Sequence, residues 1–561
     1  MYKGIGASAG IGIGKIVKIK EEELNYTKQS IEDTEAEKKR LSDAIEVFIE
    51  KTQKMVESMK VTAGHIMMIQ DPAISEQIEA KIDGEKINAE AAVEEACDFF
   101  AQIFAMADDE LTQQRASDLG DIKTRLIKIL LGIEEVDISA VPEGTILVAE
   151  DLTPSMTAGI NPANVQGVLT EIGGKTSHSA IICRSMEIPA VLSIENIVSI
   201  VNDGDEVVLD GSTGEAFINP EASVVEEYKA KKAKFLEEKA ALQKFVGQKS
   251  QTADGHVVEL VANIGGPDEA EGVLERDGEG VGLFRSEFLF MESDAIPSEE
   301  AQFEAYKKVA ETLDGKPVII RTLDIGGDKA LPYLGLPTEE NPFLGFRAVR
   351  FCLQRKEDIY KPQLRALLRA SAFGKVRIMV PLVTCVDELR AVKAIIEEPK
   401  QELDAEGIAY DKDIQVGVMM ETAAASLIAD ILAKEADFFS IGTNDLTGYT
   451  MAADRGNPDV AYLYSAYNPA VLRSIRNIIS AANKEDIMAG MCGEAASDPL
   501  LVPVLLGFGL NEFSVSATAI LATRKVMSLW TMDECKALVD EVMQLETEAE
   551  VKALLEERAR S

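Results

Sequence analysis

From residue 256 onward, eight short apolar runs alternate with helical stretches: 259–263, 279–284, 317–322, 376–382, 414–420, 438–442, 487–491 and 512–516. Runs of strand length without polar alternation mark strands buried on both faces, as in parallel βα units. Eight in succession predict a (β/α)8 barrel over residues 251–561. Chemistry in such barrels sits at the carboxyl ends of the strands, and the residues standing there are Arg285, Arg321, Glu421, Asn444, Asp445 and Cys492.

The first half carries other periodicities. Leu41, Ile45, Phe48, Thr52, Met55 and Met59 recur at three and four, as do Leu119, Ile122, Leu126 and Leu130. Each set is one buried stripe of a helix, and residues 21–140 therefore read as an all-helical insertion. On either side, Gly4–Lys20 alternates apolar and small residues, Gly144–Ala149 and Val165–Leu169 read as strands, and Asp203–Asn219 reads as a hairpin. Residues 1–20 and 141–223 thus form a split α/β domain. Val224–Leu242 is a charge-dense linker helix, and the linker runs over 224–250.

Composition narrows the function. The net charge is −39, which repels nucleic acid and anionic lipid and favours a basic protein partner. The helical insertion alone has 28 Asp or Glu against 13 Lys or Arg, a net of −15. Six cysteines form neither a C-x-x-C pair nor a metal-ligand spacing, so reduced cytoplasm is the expected compartment. No apolar run approaches a membrane span, and the amino-terminal stretch has no signal-peptide pattern.

Three histidines occur in 561 residues, and one is placed for chemistry. His178 lies in the small-residue turn Gly173 to Cys183, between an apolar run and a helical stretch, with Arg184 just behind. A strand-to-helix corner presents an imidazole among backbone N–H groups that lack helical partners, a setting for a phosphorylated histidine. Gly174-Lys175-Thr176 has the look of a P-loop end, but Leu169 occupies the position where that motif needs glycine.

The stretch GGKTSHSAIICRSMEIPAV resembles the phosphohistidine signature of the phosphoenolpyruvate-utilising enzymes. Further motifs are GVGLFRSEFLFM (280–291), RTLDIGGDKALPY (321–333), NPFLGFRAVR (341–350), QLRALLRASAFGKVRIMVP (363–381), DFFSIGTNDLTGYTMAADRG (437–456) and AGMCGE (489–494). Together they resemble the enzyme I group of bacterial sugar phosphotransferase systems. The resemblance implies that His178 accepts the phosphoryl group of phosphoenolpyruvate through Nε2. It implies that Arg285, Arg321 and Arg455 clamp the substrate with help from Asn444 and Asp445, that Glu421 and Asp445 hold Mg2+, and that Cys492 protonates the departing enolate. It further implies that the insertion docks the small histidine phosphocarrier protein HPr, and that the barrel half forms a homodimer. Guanidinium forks suit phosphate and carboxylate, and Mg2+ takes few protein oxygens, so the residue types agree with these roles.

Some positions depart from the family pattern: Lys175 for arginine, Cys183 for alanine, Ser193 for glycine, Ala423 for proline, Gly448 for glutamine and Gly120 for arginine. None removes a group assigned above. Within the family, pyruvate phosphate dikinase and phosphoenolpyruvate synthase carry a nucleotide-binding domain ahead of the histidine. Only 177 residues precede His178 here, so ATP-independent transfer is the expectation. A weakened regulator that senses phosphoenolpyruvate is the alternative of a different class.

Overall fold

The structure, a computed structural model, describes the whole chain except residues 20–25, 60–68, 70–71, 106–109, 134–137, 153–155, 157–159, 175–176, 292, 294, 328–330, 338, 455–456 and 561. Contacts divide it into two units, Met1–Ala240 and Ala241–Ser561.

The first unit contains an eight-stranded mixed sheet: β1 (Tyr2–Lys3), β2 (Ile5–Ser8), β3 (Ile11–Lys18), β4 (Thr145–Ala149), β5 (Val165–Thr170), β6 (Ala190–Leu192), β7 (Glu206–Asp210) and β8 (Glu215–Ile218), in spatial order β1-β8-β7-β3-β4-β5-β6-β2. Strand β3 pairs in parallel with β4, from Lys15↔Thr145 to Lys18↔Val148. The connection between these two neighbours contains the expected helices: α1 (Thr34–Met59), α2 (Pro72–Glu85), α3 (Ala89–Ala105) and α4 (Glu110–Leu130). Leu41, Phe48 and Thr52 are buried along α1, and Leu119, Ile122, Leu126 and Leu130 along α4, so the helices share one apolar core. The side chains of Met55 and Met59 lie outside the described residues.

Strands β7 and β8 form the hairpin expected over 203–219. Helix α5 (His178–Ser185) follows β5, and α6 (Ala222–Ala241) covers most of the stretch 224–242 read as helical. Tyr228 of α6 donates to Glu215 at 3.0 Å, Lys232 donates to Gln166 at 2.8 Å, and Lys239 pairs with Glu187. These contacts fasten α6 to the sheet of the first unit.

The second unit is a closed barrel of eight parallel strands: β9 (Glu259–Ile264), β10 (Val281–Arg285), β11 (Pro317–Arg321), β12 (Lys375–Val380), β13 (Val416–Met420), β14 (Phe438–Ile441), β15 (Met488–Met491) and β16 (Glu512–Ser516). All eight apolar runs read in the sequence are strands, displaced by at most two residues at either end. Closure comes from β16 against β9, Glu512↔Glu259 through Ser516↔Asn263. Leu283, Ile319, Met379, Met419 and Phe438 pack with Cys492 in one inner cluster, while a much larger apolar layer joins the strands to the surrounding helices. Arg524, almost fully buried, donates to the Phe245 carbonyl at 2.9 Å and Ser250 at 3.1 Å and pairs with Asp277, holding segment 245–250 to this unit.

Candidate active site

At the carboxyl ends of five barrel strands the apolar run gives way to polar and charged residues. Arg285 and Arg321 close β10 and β11. Glu421 follows β13, Asn444 and Asp445 follow β14, and Cys492 follows β15. Two glycines let these loops interlock. A Cβ on Gly442 would stand 2.7 Å from Glu421 Oε2, and one on Gly493 only 1.7 Å from Thr443 Oγ1.

Arg321 is the buried centre of the rim. Its Nη2 contacts Glu287 at 2.5 Å and its Nη1 contacts Asp324 at 3.0 Å. Burial works against its charge, but Glu287, Asp324 and Glu421 outweigh that cost and hold its pKa above the ordinary value. Nε has no hydrogen-bond acceptor among the described residues, which leaves a buried donor for an anion. Arg347 is built alike: Nη2 meets Asp324 at 2.9 Å and Asp445 at 3.8 Å, and its Nε also has no acceptor there.

Glu421 is enclosed, and its Oε1 accepts the Leu382 N–H at 2.7 Å. Burial, then repulsion from Asp445 and Asp324, pushes it up to about 8, in spite of Arg321 and Arg347. Crowded carboxylate oxygens of this kind fit a hard divalent cation, whose charge removes the repulsion. Among the described residues no group of three or more His, Cys, Asp or Glu could enclose a metal. Glu421 and Asp445 offer two carboxylates, a donor set that fits a hard cation whose remaining ligands are substrate and water.

The thiol of Cys492 donates to the Ile441 carbonyl at 3.7 Å. Burial pushes it up to about 11, although Ser440 and Arg321 pull the other way, so the sulfur is protonated at neutral pH. Asn444 accepts from the Glu494 N–H through Oδ1 at 3.4 Å, which ties the β14 and β15 loops together. Backbone strain borders the site: Leu382 has φ 56° and Ala348, beside Arg347, has φ 51° and ψ −129°.

In the first unit, His178 is the first residue of α5, after the cap residue Ser177, whose Oγ accepts the Ala180 N–H at 3.3 Å. Ser179 Oγ donates to Asp151 at 2.6 Å, and Ser193 Oγ donates to the Gly173 carbonyl at 2.5 Å. Ser193 has φ 57°, a conformation natural to the glycine usual there in the family. The side chain of His178, together with Lys175 and Arg455, lies outside the described residues.

Arg285, Arg321, Glu421, Asn444, Asp445 and Cys492 thus share one rim. Asp324, Arg347 and Glu287 were missed by sequence reasoning, although each lies inside a quoted motif. The available signal was physical, since two arginines at a buried strand end demand nearby carboxylates. Among the departures, Ala423 opens a helix still capped by Thr422, whose Oγ1 accepts the Ala425 N–H at 3.0 Å. Gly448 has space for a side chain only if the Ala453 carbonyl, 3.2 Å from its Cβ position, yields slightly.

Comparison with known proteins covers both units. Residues 239–531 match the PEP-binding domain of PEP-utilising enzymes, 141–214 their mobile domain and 3–115 their N-terminal domain. The chain is 47% identical over 564 residues to the phosphoenolpyruvate-protein phosphotransferase of Bacillus subtilis, covering 99% of each chain. It is 47% identical to that of Staphylococcus carnosus, covering 99% of this chain and 98% of the relative. That of Enterococcus faecalis is 47% identical over 99% of both.

Proposed function

The chain belongs to the PEP-utilising enzymes, and on that premise we propose that it moves the phosphoryl group of phosphoenolpyruvate to His178 and then to a small histidine phosphocarrier of the HPr type, releasing pyruvate. One observation carries this reading: two buried guanidinium groups with an unused Nε donor, two carboxylates and a protonated thiol converge on one barrel rim. That set matches a substrate bearing a phosphate and a carboxylate and a product that needs a proton on carbon.

Arg285, Arg321 and Arg455 would bind the two anionic ends, with Asn444 on the phosphate. Arg347 joins them, held to Asp324 and facing Asp445. Glu421 and Asp445 would hold Mg2+, which when bound neutralises charge on the transferring phosphoryl oxygens. His178 Nε2 attacks phosphorus in line with the departing enolate oxygen, at the head of α5, where backbone N–H groups favour an anion. Cys492 Sγ then gives its proton to the enolate carbon, and the thiol's high pKa keeps that proton available at neutral pH.

His178 belongs to one unit and the rim to the other, so the cycle requires the histidine to visit two places. The net −15 of residues 21–140 supports docking of a basic carrier face on the helical insertion. The barrel half would carry a homodimer contact. No helix among the described residues is long and apolar enough to cross a membrane, consistent with a cytoplasmic enzyme.

The test is intact mass of the purified chain after incubation with phosphoenolpyruvate and Mg2+, followed by addition of a carrier. One phosphoryl group should appear on the wild type and move to the carrier. A mass shift that survives in His178→Ala would overturn the assignment.

A further inference from the structure

Behind the rim lies a polar network sealed from solvent, and one side chain is its source. Gln363 stands on α8 (Lys361–Ala370), beside α7 (Glu299–Thr312), and is fully buried. Its Oε1 accepts the Leu323 N–H at 2.9 Å, which fixes the amide with Nε2 on the other side. Nε2 donates to Ser286 Oγ and to Tyr306 OH, both at 3.1 Å.

From Nε2 two chains of donors run outward. Ser286 Oγ passes its hydrogen to the Arg321 carbonyl at 2.6 Å. Tyr306 OH passes its hydrogen to Gln302 Oε1 at 3.1 Å, and Gln302 Nε2 ends the second chain on the Pro297 carbonyl at 2.9 Å. Ser286, Gln302 and Tyr306 are as buried as Gln363. Each hydroxyl is already committed as a donor, so neither can supply a hydrogen to position 363. The network therefore needs a side chain there with one acceptor and two donors, as only an amide has.

The first chain leads to the machinery of the rim. Ser286 follows Arg285 at the end of β10, and its hydroxyl grips the carbonyl of Arg321 at the end of β11. Leu323, held by Gln363 from the other side, precedes Asp324, the carboxylate shared by Arg321 and Arg347. We propose that Gln363 is a positioning residue for phosphoryl transfer: its buried amide sets the ends of β10 and β11, and through them the guanidinium groups that bind the substrate. The proposal rests on the function read above. A displacement of these donors by about 1 Å costs on the order of a hundredfold in rate.

The two chains separate a positioning role from a structural one. Gln363→Met keeps length and removes every polar bond, Ser286→Ala cuts only the arm to Arg321, and Tyr306→Phe cuts only the arm to Pro297. Pyruvate release, with carrier and Mg2+, gives kcat and KM for phosphoenolpyruvate, and thermal unfolding gives the midpoint of the same full-length proteins. Gln363→Met and Ser286→Ala should lower kcat on the order of tenfold to a hundredfold. Tyr306→Phe should lower the midpoint and keep kcat within about twofold. The double variant Ser286→Ala/Gln363→Met should be no slower than Gln363→Met alone, because both act through one chain. If Gln363→Met does not fold, the contrast between Ser286→Ala and Tyr306→Phe decides the matter alone. Unchanged kcat in Ser286→Ala, or rate losses that follow midpoint losses across all variants, would overturn the positioning role. Absence of phosphoryl transfer in the unsubstituted enzyme would overturn the function itself.

Discussion

The backbone N–H of Leu382 donates to Glu421 Oε1 over 2.7 Å, from a residue held at a left-handed φ of 56°. The end of β12 is thereby twisted to present a donor to the carboxylate that follows β13. The bond orients one oxygen of Glu421 and leaves the other beside Gly442.

Glu421→Gln and Glu421→Ala should therefore differ in stability and agree in activity. Both remove the proposed magnesium ligand, so phosphorylation of His178 should fall on the order of a thousandfold. Glutamine keeps an acceptor for Leu382, whereas alanine leaves that buried N–H unpaired at a cost of about 1–3 kcal/mol. Thermal midpoints of the two variants check this: equal midpoints would show that the hydrogen bond contributes nothing.

For Cys492→Ala, pyruvate formation should slow on the order of 10²–10⁴-fold, because the proposed proton donor is gone. The anion clamp is intact, so KM for phosphoenolpyruvate should stay within about threefold. Stopped-time assays of pyruvate over a range of substrate concentrations separate the two effects, and a rise in KM alone would assign the thiol to packing.

Glu512 gives a pH-dependent stability unrelated to catalysis. It lies fully buried at the opposite rim, where β16 begins, and neither carboxylate oxygen has a hydrogen-bond partner among the described residues. Burial, then Glu259, raises it to about 8 against the pull of Arg377. Unfolded, it titrates at about 4.3. Below that pH both states are protonated and no penalty exists. As pH rises toward 8 the unfolded chain loses the proton and the folded one retains it, so stability drops by about 1.4 kcal/mol per pH unit, then levels off. Glu512→Gln should match wild type near pH 4.5 and exceed it increasingly up to pH 8. Denaturation at three pH values checks the trend, and a constant difference would refute it.

Ser193 balances strain against a hydrogen bond. Its left-handed backbone costs about 1 kcal/mol relative to glycine, and its hydroxyl bond to the Gly173 carbonyl contributes a similar amount. Ser193→Gly should be nearly neutral. Ser193→Ala keeps the strain and loses the bond, so it should unfold at the lowest temperature of the three; calorimetry that ranks glycine lowest would refute this balance.

Carrier docking should be electrostatic. Raising salt should weaken transfer from phosphorylated His178 to the carrier and leave the first phosphorylation largely intact. Gly120 on α4 has open space at its Cβ position, so Gly120→Arg should fold normally and change carrier affinity. Equal transfer rates at low and high salt would reduce the acidic helices to a solvated surface.

The barrel was legible because strands covered on both faces leave a largely apolar signature, and at β10, β11 and β13 the charged residue at or just after the strand end marks the rim. Partners of those charges were less visible. Asp324 and Arg347 come from loops between strands, where no periodicity assigns a direction, and their burial follows from each other. The left-handed backbones at Leu382 and Ala348 carry no glycine to announce them. Glu512 begins a run that was read correctly as a strand, but an acidic residue at a strand start is ordinarily wet, and only the closed barrel shows it dry. The turn at His178 was marked by its glycines, and Ser193, noted as a departure from glycine, sits where the structure has left-handed backbone.

The parallel pairing of β3 with β4 spaces two neighbouring strands by more than a hundred residues of chain. During synthesis, β3 leaves the ribosome long before its partner exists, and its antiparallel neighbour β7 is later still. The helices in between have local contacts and their own core, so they can assemble first. Once formed, they shorten the effective loop between the strands and lower the entropy of closing it. Pulse-labelled hydrogen exchange during refolding should accordingly find the amides of α3 and α4 protected before those of β3 and β4. The insertion would then act as a brace that brings β3 and β4 within reach of each other.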